Sequence, residues 1–365
     1  MTENRIDRAG VYSRRHFGKV ALASLPAIGA FGRPGVALAR QGKPNSVWGG
    51  VPFGIFAPYR FGPEASDLEG ALKALVNFGV SQTELSNSIV ERHLGAPQPA
   101  GGAGRAGGQA AAPTAAPAAP ATPAAAPQAG AAGGAGRGRG AQTPEQQAAA
   151  RAAAEQLTAW RTAVAMDKFK TVKKLFDDAG VTIYAYRLTL RADMPDAEYD
   201  YTFNAAKALG ATQITMELPA DRAVSQRIGD FAAKHRVNVG YHLHTTATIT
   251  AWDEAMAQSP RNGLQLDIGH YVAGTGISPV PLIEKHHARI FSMHLKDRKK
   301  AGHDNSENMP WGQGDTPIAD VLRVLKKNKW AIPVGIEFEY PVPAGSTWSA
   351  EIAKCVEYGK AALLG

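Results

Sequence analysis

The sequence predicts an α/β protein built as a single closed (β/α)₈ barrel. Three observations carry that reading. Short β-rich runs bounded by turn residues recur eight times, separated by amphipathic helical stretches, and parallel strands need such crossover connections. No Gly-x-Gly-x-x-Gly follows the first run, which removes the main signal of a doubly wound dinucleotide-binding sheet. With an N-terminal leader and a low-complexity segment set aside, roughly 280 residues of ordinary globular composition remain, enough for one barrel of about 250.

The runs are Pro52–Pro58, Gln82–Asn87, Thr182–Leu188, Gln213–Pro219, Asn238–Thr245, Leu264–Tyr271, Ile290–Asp297 and Pro333–Tyr340. Ser66–Phe78 carries Leu68, Leu72, Leu75 and Val76 on one helical face. Asp196–Leu209, Asp221–His235 and Thr316–Lys327 share that period, and Trp348–Leu364 closes the chain. Gly79, Gly180 and Gly210 stand just past helix ends, where a left-handed cap is wanted. Thr143-Pro144-Glu145-Gln146 supplies an N-cap, a proline at the first helical position and a capping-box glutamine, so the ordered chain resumes near Thr143.

Residues 1–39 read as a leader. Ser13, Arg14, Arg15, Phe17 and Lys19 are followed by an apolar run from Val20 to Phe31 and by Ala37-Leu38-Ala39. This resembles a twin-arginine export signal with a signal-peptidase site, and the apolar run is shorter than the ~20 residues that span a bilayer. The expected location is therefore periplasmic or secreted via the twin-arginine pathway, with no membrane anchor after signal removal. The mature chain, residues 40–365, is the barrel. It is interrupted after the second strand by 97–142, composed almost entirely of Ala, Gly, Pro, Gln and Thr with Arg105, Arg137 and Arg139 and no acid. Such a segment cannot bury enough apolar surface to offset its ordering entropy, so it is expected to be disordered. As a βα loop it would leave from the catalytic face, and its flanks, around Glu91 and Trp160, are candidates for the pocket wall.

The net charge of +8 first suggests a nucleic-acid partner, but its location argues otherwise. Half of the excess lies in the leader (Arg5, Arg8, Arg14, Arg15, Lys19 and Arg33 against Glu3 and Asp7), and three more arginines lie in the low-complexity segment. The barrel is left close to neutral, without the basic footprint that phosphate backbones require. The single cysteine, Cys355, rules out an intramolecular disulfide and a thiolate metal cluster.

In a barrel, chemistry collects at the C-terminal ends of the strands. There the fourth run ends with Glu217, the fifth with His242 and His244, and the sixth with Asp267 and His270. The seventh ends with His294, Lys296 and Asp297, and the eighth with Glu337 and Glu339. One such residue is usually a cap or a solvated charge. Five successive strand ends carrying imidazoles and carboxylates within apolar runs argue for a shared partner, because buried carboxylates need compensation. Nitrogen and oxygen donors without thiolate suit one divalent ion such as Mn²⁺, Zn²⁺, Co²⁺ or Mg²⁺. Trp311, in "PWGQGD" after the seventh strand, is the aromatic placed to stack on a sugar ring.

"LQLDIGHYVAGTG", "MHLKD" and "VGIEFE", in that order, resemble the xylose-isomerase-like barrel superfamily, in particular its sugar epimerases, inosose dehydratases and related isomerases. The resemblance runs from about Pro52 to Leu364 apart from the insertion. It implies a metal held by Asp267, His294 and Glu337, with His270 and His244 binding substrate. Epimerases of that group usually place a glutamate at the end of strand five, where this chain has His242. Either His242 or Glu217 completes the ligand set, and Glu339 is an alternative to Glu337 because both share one side of the strand. Glu217, Glu337 and Lys296 are the candidate catalytic residues.

The implied activity is isomerisation or epimerisation of a keto-sugar or related carbohydrate through an enediolate. Dehydration or β-elimination, as on an inosose or a 3-keto-glycoside, is the alternative, because it shares that intermediate. A non-catalytic sugar-binding barrel is the third reading. Endonuclease IV shares the barrel and an Asp-x-x-His, but it needs three zinc ions and further ligands. Strands two and three of this chain end without histidine.

Overall fold

The computed structural model describes residues 42–98, 143–300 and 307–365. The leader 1–39 and residues 99–142 of the low-complexity segment lie outside the described residues.

The strands are β1 (Val51–Ala57), β2 (Gln82–Ser86), β3 (Thr182–Arg187), β4 (Gln213–Glu217), β5 (Asn238–His242), β6 (Asn262–Asp267), β7 (Ile290–Leu295) and β8 (Val334–Ile336). Each pairs in parallel with its neighbour in sequence, and β8 pairs with β1, so the sheet closes on itself. This is the (β/α)₈ barrel that the alternation of runs predicts. Helices fill the crossovers and cover the outside, among them α1 (Leu68–Asn77), α2 (Asn87–His93), α3 (Pro144–Ala163), α4 (Met166–Ala179), α5 (Asp196–Ala208) and α6 (Arg222–His235). The remaining long ones are α7 (Ile318–Asn328) and α8 (Trp348–Leu364).

Period-two alternation divides each strand between two environments. Ile214 and Met216, Leu264 and Leu266, and Met293 and Leu295 are buried apolar positions. The residues between them, Gln213, Thr215, Gln265, Ser292 and His294, are buried and polar and bond across the barrel. The barrel interior is thus a polar layer inside an apolar sleeve. Room for it comes from missing side chains: a Cβ at Gly240 would lie 2.8 Å from Gln213 Oε1, and one at Gly335 would lie 2.6 Å from the Tyr184 hydroxyl.

Local signals behave as their chemistry requires. Thr143 and Gln146 form the reciprocal capping box at 3.2 and 3.0 Å, and Gly180 ends α4 at φ 79°. Several predicted runs overshoot. The sixth does not extend to Tyr271, because Asp267, its last ladder residue, is also the N-cap of a short helix, Ile268–Thr275. The fifth stops at His242 and the fourth at Glu217, so His244 lies on the loop beyond. The eighth is a ladder of Val334–Ile336 alone.

The flanks of the insertion are fastened to each other on the helical layer. Arg161 of α3 bonds Glu91 of α2 at 2.9 Å and Glu198 of α5 at 2.8 Å, all three buried. Tyr201 donates to Glu91 at 2.9 Å, and the Trp160 ring meets Tyr201 edge-on. Trp160 and Glu91 therefore meet this ion cluster, and Glu91 also accepts from the Asn87 amide just past the end of β2 at 2.9 Å.

Candidate metal centre

The centre is assembled by register. Asp267 is level with His294, and His294 with Gly335, two residues before Glu337. His242 is level with Glu217 across β4 and β5. Ligand atoms of His242, Asp267, His294 and Glu337 lie within 4.8 Å of one another, and all four residues are buried.

The Asp-x-x-His spacing has a local cause. Asp267 caps its helix by accepting the His270 N–H on Oδ1 at 2.7 Å, an N-cap bond to the third helical residue. That bond fixes the carboxylate with Oδ2 free of hydrogen-bond partners. His242 Nδ1 is likewise buried without a partner. Buried polar atoms are seldom left without a hydrogen bond, and two of them in one four-residue set, Asp267 Oδ2 with only an ion-pair contact to Lys296, fit a divalent cation. Burial holds the His242 imidazole well below its ordinary pKa, so it is neutral and able to offer a lone pair. Burial also pushes the Asp267 carboxyl up to about 7, against the pull of Lys296.

His294 is fully buried between two carboxylates, with Nδ1 3.0 Å from Glu337 and Nε2 2.7 Å from Glu84. Burial alone would lower its pKa, but Glu337 and Glu84 outweigh it and raise the value to about 10. The Lys296 ammonium lies 2.6 Å from Glu337, 2.7 Å from Glu339 and 3.1 Å from Asp267, and 3.0 Å from His270 Nε2. Its contact with Asp267 is an ion pair without hydrogen-bond alignment, as the orphaned Oδ2 shows. Burial opposes the charge on Lys296, yet Asp267, Glu337 and Glu339 raise its pKa, so it stays an ammonium at neutral pH. The same Lys296, with His294, keeps Glu337 ionised despite burial.

Of the other residues expected at the site, His270 reaches Lys296 through Nε2 and Arg298 through Nδ1 at 2.5 Å. His244, half exposed, has its ring tilted against that of His270, centroids 4.5 Å apart, and lies 3.8 Å from Glu217. Glu217 is paired with Arg187 at 2.9 Å and remains 43 % exposed, outside the four-residue set. Glu339 shares Lys296 with Glu337, as period-two alternation implies, and accepts from the Tyr59 hydroxyl at 2.8 Å. Trp311 is buried, its ring edge-on to Tyr358 of α8. Asp297 organises the loop that carries Trp311, accepting N–H bonds from Gly312, Gly314 and Thr316 at 2.8–3.1 Å.

Sequence reasoning missed Glu84, Gln265 and Arg187. Glu84 lies mid-strand in "QTELS", with no other titratable group near it in sequence. Arg187 spans from Glu217 to Gln265, whose oxygen it bonds at 3.1 Å, and lies 3.6 Å from Glu84. Alternation along β6 marks Gln265 as sharing the side of Asp267, the one signal that was available.

A parallel barrel with imidazoles and carboxylates converging at its strand ends defines the class. The family described as xylose isomerase-like TIM barrel matches residues 146–357, and the chain belongs to it. No curated protein matches the chain. Among solved structures it is similar to a xylose isomerase domain protein from Alicyclobacillus acidocaldarius subsp. acidocaldarius, at 14 % identity and TM-score 0.54, covering 86 % of this chain and 99 % of that one. A xylose isomerase domain protein from Planctomyces limnophilus gives 13 % identity and TM-score 0.51, covering 86 % and 96 %. The probable 3-DHS dehydratase AsbF from Bacillus anthracis gives 11 % and 0.51, covering 83 % and 97 %. At these identities the likeness is one of fold.

Proposed function

We propose that this chain is a divalent-metal-dependent isomerase or epimerase acting on a keto-sugar or related carbohydrate by proton transfer through an enediolate. The observation that carries the reading is the buried His242, Asp267, His294 and Glu337 set with its two orphaned atoms. A divalent ion held there would polarise a carbonyl and its neighbouring hydroxyl, acidifying the C–H between them.

The remaining roles follow from charge state and access. Lys296 lies among the carboxylates of Asp267, Glu337 and Glu339, which favour its ammonium form and suit it to donate a proton or steady developing negative charge. Glu217 is the carboxylate open to the mouth, and we assign it the proton-abstracting role. Glu337 is committed to His294 and Lys296 and serves as a ligand. Arg298, His270 and His244 line the approach, where sugar hydroxyls would find hydrogen-bonding partners.

Dehydration is the second reading, favoured by one feature. β5 ends in an imidazole where a carboxylate would serve an epimerase, and His242 stands beside His244 with ring centroids 5.1 Å apart. His242 is taken up as a ligand, so His244, outside the four-residue set, is the imidazole placed to protonate a departing hydroxyl.

Metal-loaded protein incubated in D₂O with keto-sugars and 3-keto-glycosides tests these readings together. Deuterium at the carbon next to the carbonyl, with the sugar skeleton intact, is the expected result. Loss of a hydroxyl or glycosidic group would establish the lyase instead. Tight sugar binding with no exchange on any substrate would leave a non-catalytic binder. The leader further supports export through the twin-arginine pathway to the periplasm or beyond. Changing Arg14 and Arg15 together to Lys is expected to retain unprocessed precursor, and unaffected processing would remove that assignment.

A further inference from the structure

Glu84 is fully buried, and its carboxylate is met by side chains from four other strands. The Thr215 hydroxyl donates to Oε1 at 2.6 Å, and the Gln265 amide donates to Oε2 at 2.5 Å. His294 Nε2 lies 2.7 Å from the same Oε2, and the Arg187 guanidinium is 3.6 Å from Oε1. A carboxylate this deep costs several kcal/mol unless its charge is matched and its lone pairs are used. Two neutral donors and a guanidinium around its two oxygens supply the matching that an ionised carboxylate needs. An ionised carboxylate can only accept, so the 2.7 Å contact places a hydrogen on His294 Nε2, and the Gln265 amide nitrogen, 3.1 Å from that atom, donates to Glu84 instead.

The opposite ring nitrogen, Nδ1, faces Glu337 within the four-residue set. A histidine binds a metal through a bare nitrogen, and the hydrogen bond made by its other nitrogen decides which one is bare. We infer that Glu84 is a positioning residue that holds the Nε2 proton of His294, so that Nδ1 is the nitrogen presented to a divalent ion. The inference rests on the metal-centre reading above. It adds a residue outside the ligand set, from a strand with no other part in the site. The neighbouring bonds give the device its rigidity. Gln265 and Thr215 fix both carboxylate oxygens, and Arg187 ties Gln265 to Glu217 at the mouth.

Glu84→Gln keeps the shape of the side chain but lets its amide donate as well as accept, which frees His294 to take either tautomer. Mn²⁺ affinity is measured by calorimetry for the wild type and the variant. A ¹⁵N-histidine spectrum of each Zn²⁺-loaded protein reports the protonated nitrogen. The expected result is Mn²⁺ binding weaker by roughly 10- to 100-fold. The protected His294 Nε2–H signal of the wild type should also be lost, an effect that a merely structural role would not produce. Should Glu84→Gln fail to fold, Thr215→Val removes one donor to Glu84 without touching His294. It is expected to weaken Mn²⁺ by roughly two- to fivefold. Unchanged affinity with a retained Nε2–H signal, in whichever variant folds, overturns the role of Glu84 alone. A wild type that takes up neither ion overturns the metal centre, and this inference with it.

Discussion

Lys296 shows how finely the site is balanced. Its ammonium is the counterion of three buried or nearly buried carboxylates, Asp267, Glu337 and Glu339. Removing one partner of a buried pair typically costs about 3–5 kcal/mol, because the remaining charge is left uncompensated. Lys296→Met is therefore expected to lower the melting temperature of the metal-free protein sharply. A dication can replace the lost charge, so Mn²⁺ should raise the melting temperature of the variant more than that of the wild type. Equal Mn²⁺ shifts in the two proteins would contradict this. His294 adds a pH dependence. Its pKa rises from 6.5 to about 10 on folding, so its share of stability in the metal-free protein is complete below pH 6.5 and lost as pH rises through about 10. Metal uptake must expel one of its protons and should tighten over the same range. A melting temperature of the metal-free His294→Gln variant that falls as steeply as the wild type's between those limits would contradict the assignment. The acids and imidazoles at strand ends were legible because each interrupts an apolar run. Glu84 was not, because its partner His294 lies 210 residues away in sequence, and only barrel closure brings them together.

Among elements, the short helix after β6 depends on a close approach. A Cβ on Gly269 would lie 2.3 Å from Lys296 Cγ and 2.7 Å from the Lys296 carbonyl oxygen. Alanine in a helix is favoured over glycine by about 1 kcal/mol, whereas forcing a methyl into backbone contact costs about 1–3 kcal/mol. The clash should win. Gly269→Ala is expected to destabilise the protein and displace Lys296, which thermal unfolding of the metal-free protein would reveal; a rise in melting temperature would contradict it. The same element shows why the strand limits were misread. No proline or turn pair marks a strand end in "LDIGHY", and the turn into a helix is made by the Asp267 side chain capping the His270 N–H. Capping boxes spelled out in sequence, as at Thr143 and Gln146, were legible because both partners are local.

For the whole molecule, the question is what the insertion after β2 contributes. The two described ends of that segment belong to helices joined by the buried Glu91, Arg161 and Glu198 cluster, with Tyr201 beside it. That contact lies in the barrel's own helical layer and is made between described residues. Lengthening a flexible loop costs only about 0.6 kcal/mol per doubling, and shortening one should return as little. Replacing 99–142 with a short Gly/Ser linker is thus expected to leave the melting temperature within a few degrees and Mn²⁺ binding intact. A large loss of either would show that the segment supports the barrel. The barrel itself was legible from the count and spacing of runs, because parallel pairing leaves few other ways to bury them.

The central claim is that His242, Asp267, His294 and Glu337 hold a divalent ion. Anomalous diffraction from crystals grown with Mn²⁺, recorded on both sides of the manganese edge, tests it most directly. The account predicts one strong anomalous peak bonded to His294 Nδ1, Asp267 Oδ2, His242 Nδ1 and a Glu337 oxygen, with Lys296 drawn away toward Glu339. No peak at these four residues, with the Lys296 ammonium still between Asp267 and Glu337, would contradict it.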